Sequence, residues 1–111
     1  MLSMEMLQDA QRILDPVINH TPVVATKDIV PDCEFYLKAD CLQKTGAFKL
    51  RGAYYKIATL SDEEKARGVI ACSAGNHAQG VAFAARDMGI PATICIPEGA
   101  PLSKIEATRS Y

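Results

Sequence analysis

The chain has 111 residues, of which 49% are hydrophobic and 23% are charged, and its formal net charge is −1. A chain of this length forms one domain at most, or part of one. Its near-neutral charge is spread without basic clusters and gives no indication of nucleic acid as a partner. It has no apolar run of about 18 residues, which a membrane helix would need, and no signal-peptide pattern at its start. We therefore expect a soluble, cytoplasmic protein.

The first predicted element is a helix. Hydrophobic residues recur at helical spacing after Ser3 and continue to Leu14. Asp15 and Pro16 then indicate either a break in the helix or a new N-cap with proline at the first helical position. Extended backbone is predicted at residues 21–24, because a residue that precedes proline avoids the α region.

A strand is predicted at residues 35–39 and a loop at residues 43–47. Hydrophobic residues then recur at helical spacing up to Leu60, so the next helix is expected to begin near Phe48 or Lys49. The partial positive charge of a helix N-terminus disfavours an ammonium group there. This position therefore favours the neutral amine that imine formation requires. The alternative is an ordinary solvated lysine.

The second half of the chain alternates strands and helices. Ser61 and Glu64 have the spacing of a capping box and predict a short acidic helix, which Gly68 can end. Strands are predicted at residues 69–72 and 92–96, and both are continuously apolar, as is typical of a parallel sheet covered on both faces. The fold class is therefore α/β, with a parallel βαβα unit in the second half.

A turn at residues 73–77 joins the first of these strands to a helix that runs to Met88. Open parallel sheets bind ligands at the carboxyl ends of their strands, and the N–H groups of a helix start suit a carboxylate or phosphate. The alternative is a simple turn in which Asn76 is the helix N-cap. Ser103 and Glu106 have capping-box spacing and predict the start of a last helix.

The four cysteines give no sign of a metal site. Cys33, Cys41, Cys72 and Cys95 form no C-x-x-C pair, and the two histidines are far apart in the sequence. No metal is expected. Each cysteine is interpreted as a reduced, small apolar filler.

Two motifs carry a resemblance to a known family: TGAFKLRGA at residues 45–53 and SAGNHAQG at residues 73–80. In this order they resemble the fold-type II (tryptophan synthase β-like) pyridoxal-phosphate enzymes. The branch that they resemble most is that of threonine/serine dehydratases and serine racemases. The resemblance runs from residues 21–22 to residues 104–106. Ala47 departs from the pattern, because the family commonly has serine there.

The resemblance implies roles for individual residues. Lys49 would be the Schiff-base lysine and the base that removes the α-proton. Phe48 would lie beside the pyridine ring of pyridoxal 5′-phosphate, and Asn76 would hydrogen-bond its 3′-oxygen. The loop that holds the substrate carboxylate would be formed by Ser73, Ala74, Gly75, Asn76 and His77.

The resemblance also implies that the chain is the N-terminal portion of a longer enzyme. Residues 1–60 would belong to the large cofactor-binding domain that carries the lysine, and residues 61–111 would begin a small, incomplete α/β domain. The family's glycine-rich phosphate-binding loop and the polar residue at the pyridine nitrogen have no counterpart in these 111 residues. The chain alone is therefore expected to be inactive.

The function that this resemblance implies is a pyridoxal-phosphate-dependent ammonia-lyase that converts L-threonine to 2-oxobutanoate and ammonia. Such an enzyme serves isoleucine biosynthesis or threonine catabolism, binds a small amino-acid substrate and is commonly a homo-oligomer. One alternative is a serine racemase. Another is a catalytically inactive fragment that acts as an assembly or folding module.

Overall fold

The computed structural model describes residues 2–26, 29 and 31–111. In these residues the elements, in chain order, are α1 (Met4–Leu14), β1 (Val23–Thr26), β2 (Phe35–Lys38), a short 3₁₀ turn (Asp40–Leu42), α2 (Lys49–Ala58), α3 (Asp62–Arg67), β3 (Val69–Cys72), α4 (Asn76–Asp87), β4 (Ala92–Cys95) and α5 (Leu102–Arg109).

The first helix has the bounds that its sequence pattern predicts. The Ser3 side chain accepts a hydrogen bond from the Met6 backbone N–H at 3.3 Å and so caps α1. Asp15 is the C-cap, and its N–H donates to the Gln11 carbonyl. The helix buries Leu14 against the core.

The strands β1 and β2 form an antiparallel pair, with Val23 opposite Lys38 and Thr26 opposite Phe35. The sequence predicts extended backbone in both segments, but it does not predict that they pair. Every residue of the two strands is exposed or half-buried. The pair therefore lies outside the hydrophobic core.

The helices α2 and α3 follow local signals. Four residues of α2 share one buried face, and Ser61 and Glu64 form both hydrogen bonds of the predicted capping box at the start of α3. Gly68 ends α3 with a φ of +83°, and a Cβ atom there would lie 2.6 Å from the Pro91 carbonyl oxygen. A side chain at this position would therefore meet both backbone strain and a clash.

The strands β3 and β4 pair in parallel, as the βαβα pattern predicts, with Val69 opposite Ala92 and Cys72 opposite Cys95. The last helix differs from its prediction. It begins at Leu102, because the Pro101 carbonyl accepts hydrogen bonds from the N–H groups of Lys104 and Ile105 at 3.0 and 3.3 Å.

The capping box predicted for this last helix is therefore wrong. Ser103 is the second residue of α5, and the N-cap position is taken by Pro101 without any side-chain hydrogen bond. Proline fixes φ near the helical value, so the chain can enter the helix before it reaches the serine.

One hydrophobic core joins α1, α2, α4 and the inner face of the β3–β4 pair. Its most buried large side chain is Leu50. Within the described residues this core contains side chains from both before and after residue 60, for example Ile57 and Ala84. The domain boundary at residue 60 stays a prediction.

The cysteines depart from the sequence interpretation. Cys33, Cys41, Cys72 and Cys95 are all free and all exposed, so their interpretation as buried apolar filler is wrong. An apolar run predicts a strand, but it does not say which of the strand's two faces is covered. Among the described residues no helix is long and apolar enough to cross a membrane.

Candidate functional site

Lys49 is the first residue of α2, as the sequence predicts. Phe48 occupies the N-cap position with helical backbone angles and makes no capping hydrogen bond with its side chain. The preceding loop turns at Gly46, whose φ is +67° and whose N–H donates to the Gln43 carbonyl at 2.7 Å. This turn brings the chain into α2 with the Lys49 side chain at an open cleft.

The cleft has a volume of about 870 Å³ and lies between α2, β3 and the start of α4. Three of the predicted site residues line it together: Phe48, Lys49 and His77. Phe48 is 64% exposed, so its ring is available to contact a bound molecule. Three further charged side chains from α2 and α3 also line the cleft: Lys56, Glu64 and Arg67.

The predicted turn at residues 73–77 lies at the carboxyl end of β3. The Gly75 N–H donates to the Ser73 hydroxyl at 3.2 Å. Asn76 is the first residue of α4, and Gly75 is the N-cap without a side-chain hydrogen bond. The alternative in which Asn76 caps the helix is therefore wrong. Because no side chain caps α4, its first N–H groups are available to an anion.

The cleft does not include every predicted contact residue. Cys72 and His77 line it, whereas the four residues between them do not. The chain therefore turns away from the cleft after Cys72 and comes back to it at His77. The loop between them consists of Ser73, Ala74, Gly75 and Asn76. Their role as substrate contacts stays a prediction.

Gly80 brings the two helix starts together. A Cβ atom built on Gly80 would lie 3.3 Å from both the Lys49 carbonyl oxygen and the Leu50 backbone nitrogen, and 3.4 Å from the Ala53 Cβ. The backbone of α4 thus crosses α2 one turn after His77 and directly beside Lys49. The sequence did not lead to a prediction of this contact, although the glycine of HAQG, which has no side chain, was its signal.

A polar network anchors the first turn of α2 on the side away from the cleft. The Arg51 guanidinium donates to both oxygens of Asp40, each at 2.9 Å. The Thr21 hydroxyl donates to Asp40 at 2.5 Å, and the Lys38 ammonium donates to the Thr21 carbonyl. The hydrogen bonds from Arg51 lower the pKa of Asp40 to about 2, from an ordinary value of 3.8.

A second polar contact joins α2 to α4. The Tyr54 hydroxyl donates to an Asp87 carboxylate oxygen at 2.7 Å. Burial, followed by the hydrogen bond to this negative charge, raises the pKa of Tyr54 to about 12. The phenol is therefore a neutral donor at physiological pH, and it fixes the spacing of the two helices beyond Gly80.

One buried polar atom near the site has no partner. Thr45 is 6% exposed, and among the described residues its hydroxyl is the buried side-chain polar atom that makes no hydrogen bond. It lies in the turn that leads to Lys49. No group of three or more His, Cys, Asp or Glu side chains within the described residues is arranged to hold a metal ion.

The chain belongs to the family of pyridoxal-phosphate dependent enzymes, whose pattern it matches over residues 14–111. It is 55% identical to an L-threonine ammonia-lyase of Thermotoga maritima, over 99% of this chain and 28% of that protein.

Solved structures of the same family have the same fold. Maize serine racemase superimposes with a TM-score of 0.90 at 41% identity, over 98% of this chain and 34% of that one. The processed form of threonine deaminase isoform 2 from Solanum lycopersicum superimposes with a TM-score of 0.83 at 38% identity, over 96% and 32%. The predicted fold class is thereby confirmed. The chain spans about a third of the length of these proteins.

The residues of the cleft fit the family's cofactor. Pyridoxal phosphate carries an aldehyde, an aromatic ring and a phosphate. The cleft offers an amine from Lys49, an exposed aromatic side chain from Phe48 and an apolar wall from β3. The uncapped start of α4 adds N–H donors for an anionic group. Among the residues that the structure describes, there is no glycine-rich loop that could bind the phosphate group.

Proposed function

We propose that the protein to which this chain belongs is a pyridoxal-phosphate-dependent ammonia-lyase that acts on L-threonine and releases 2-oxobutanoate and ammonia. The observation that carries the proposal is the position of Lys49, at a helix start and in one cleft with His77. The names of the relatives at 55% and 38% identity support the choice of threonine as substrate.

In this proposal Lys49 has two tasks, to hold the cofactor covalently and to accept a proton from the α-carbon of the amino acid. Pyridoxal phosphate, when bound, supplies an electron-withdrawing ring that makes this proton acidic. The amine must be neutral to accept this proton.

The turn at residues 73–77 would hold the substrate carboxylate through the N–H groups of the uncapped α4 start. Asn76 would hydrogen-bond the cofactor ring, and Phe48 would lie against its face. Because Gly80 sets α4 directly on α2, the carboxylate contacts and the amine stay at a fixed spacing. Orientation of this kind contributes more to rate than binding alone.

A serine racemase is the second candidate, and the superposition on maize serine racemase with a TM-score of 0.90 favours it. Both reactions begin when a base removes the α-proton, so Lys49 would serve either. The proposal also includes a cytoplasmic homo-oligomer, as the resemblance to this branch implies. The 111-residue chain by itself is expected to be inactive.

The role of Lys49 can be tested by covalent trapping. The protein is mixed with pyridoxal phosphate, reduced with borohydride, digested and mapped by mass spectrometry, and the adduct is expected on Lys49. Lys49→Ala is expected to abolish it. Lys56→Ala is the matched control, because Lys56 lies on the same helix and lines the same cleft. Equal labelling of both lysines would contradict the assignment.

The reaction can be tested with the full-length gene product. We expect 2-oxobutanoate from L-threonine, and we expect Lys49→Ala to lower the rate at least about a hundredfold, as is typical for loss of an acid–base group. Conversion of L-serine to D-serine without any 2-oxo acid would favour the racemase instead. Full activity of the Lys49→Ala variant would refute both candidates.

A further inference from the structure

Two cysteines lie side by side at the carboxyl ends of β3 and β4. Cys72 and Cys95 are direct partners in the parallel register. The ladder continues past them, because the Ser73 N–H donates to the Cys95 carbonyl at 3.0 Å. Partners on neighbouring strands project their side chains to the same face of a sheet.

That face is the open one. Ala71 and Ile94, which precede the two cysteines, belong to the core or pack against it. Side chains alternate along a strand, so Cys72 and Cys95 project to the opposite face, together with Ile70, which is 78% exposed. Both thiols are free and exposed.

The spacing suits a covalent bond. Neighbouring strands lie about 4.8 Å apart, and disulfides span Cα–Cα distances of about 4.4–6.8 Å. The Cα atoms of these two direct partners are therefore expected to lie within the range that a disulfide spans. The other two cysteines have no such partner in the described residues, because Cys33 precedes β2 and Cys41 lies in the 3₁₀ turn.

We infer that Cys72 and Cys95 form a redox-responsive dithiol, which a low-molecular-weight disulfide of the glutathione type oxidises to an intramolecular disulfide. One deprotonated cysteine attacks the small disulfide, forms a mixed disulfide and releases one thiol. The second cysteine then attacks the protein sulfur of that mixed disulfide and releases the second thiol. The protein loses two hydrogen atoms, and the small disulfide gains them.

The pair adjoins the candidate site. Cys72 lines the cleft together with Lys49 and His77, and the bond would tie both strands together where the turn at residues 73–77 begins. In a reducing compartment such a bond is transient and responds to redox state. The inference is independent of the proposed catalytic function, because it needs only the two thiols and a small disulfide.

The test uses a Cys33→Ser/Cys41→Ser double variant of the 111-residue chain, in which Cys72 and Cys95 are the two remaining cysteines. Incubation with excess glutathione disulfide is expected to give a monomer that has lost two hydrogen atoms and carries no glutathione. Its digest is expected to contain a linked pair of peptides with Cys72 and Cys95, and dithiothreitol should separate them. Full retention of both thiols, two glutathione adducts, or dimers linked between chains would overturn the inference.

The control adds Cys72→Ser to the double variant. The remaining thiol, Cys95, has no resolving partner, so it is expected to keep one glutathione until dithiothreitol removes it. Cys95→Ser in the same background should behave in the same way at Cys72. If the double variant also stops at a mixed disulfide on one thiol, the two sulfurs do not meet and the inference fails.

Discussion

At the scale of single residues, Asp40 joins its own segment of the chain to the segments that contain Thr21 and Arg51. Its carboxylate accepts two hydrogen bonds from Arg51 and one from Thr21, and its side chain is only 12% exposed. A bidentate arginine pair of this kind is stronger than an ordinary hydrogen bond. Arg51 follows Lys49 by two residues, so the two side chains diverge by about 200° around α2. The pair therefore fixes the rotation of the helix that presents the lysine.

Asp40→Asn is expected to lower the free energy of unfolding at neutral pH by about 1–2 kcal/mol, a figure reduced for solvent screening. The folded-state pKa of Asp40, about 2, lies below its ordinary value of 3.8. The stabilisation is therefore fully present above pH 3.8 and is lost as the pH falls toward 2. Urea titrations of both proteins between pH 2 and pH 7 should show the difference shrink over this range.

A matched control for this prediction is Asp15→Asn. Asp15 also pairs with a potential cation, since one of its oxygens lies 3.3 Å from His20 Nε2, but both side chains are more than half exposed. Exposed pairs contribute little, so this variant should unfold at nearly the wild-type urea concentration. Equal effects of the two substitutions would show that the Asp40 network adds nothing beyond charge.

Prediction from sequence worked at this scale where the signal is local. The start of α2 at Lys49 and the Ser61–Glu64 capping box follow from neighbours within four residues. The pair of Asp40 and Arg51 does not follow from such neighbours. It depends on the 3₁₀ turn and the loop that bring the two segments together. Nor does the sequence state which face of β3 bears Cys72.

At the scale of elements, the site depends on the crossing of α2 and α4. Gly80 has no side chain, and the neighbouring α2 backbone occupies the space that a Cβ atom would take. The same crossing buries Leu50 and Ala84 completely. Backbone atoms cannot move aside as the end of a flexible side chain can, so a methyl group at position 80 must displace one helix from the other.

Gly80→Ala is expected to lower the free energy of unfolding by about 1–2 kcal/mol, because overpacking outweighs the gain of about 1 kcal/mol in helix propensity. Gly52→Ala is the matched control. Gly52 lies in α2 with nothing within 4 Å of a built Cβ atom, so alanine should stabilise the protein by about 0.5–1 kcal/mol. Urea unfolding of both variants measures whether each substitution lowers or raises the free energy of unfolding.

The same two variants distinguish the steric clash of an added methyl group from the change in helix propensity. If Gly80→Ala stabilises the protein as much as Gly52→Ala does, the two helices are not in close contact at Lys49. In the full-length protein the displaced helix should also weaken borohydride trapping of pyridoxal phosphate on Lys49, since the cleft is built on this crossing.

Elements were predictable from sequence to different degrees. The βαβα order and the parallel pairing of β3 and β4 follow from apolar runs, caps and turns. The antiparallel pairing of β1 with β2 does not, because those strands carry no hairpin signal of the two-residue type. The start of α5 was missed because the helix begins at Leu102, directly after Pro101 at the N-cap, so that Ser103 already lies inside it.

At the scale of the whole molecule, the chain is more extended than a compact domain of its size. Its radius of gyration is 16.2 Å, whereas about 13 Å is typical for 111 residues. In the part of the chain that the structure describes, the strands form two separate two-stranded sheets. Large apolar side chains on both sheets are exposed, among them Val23, Tyr36 and Ile70. The hydrophobic core therefore supports only part of the fold, and stability should differ from one region to another.

Hydrogen exchange should reveal this difference. Amides in the middle of α2 and α4 lie at the core, and we expect them to exchange only when the whole protein unfolds, at rates that rise steeply with urea. Residues of β1 and β2 contribute nothing to the described core, and an isolated two-stranded pair is marginally stable. Their amides should exchange much faster, through local opening that low urea concentrations leave unchanged. Equal protection of Val24 and Ala84, with equal urea dependence, would show instead that the β1–β2 pair unfolds together with the core.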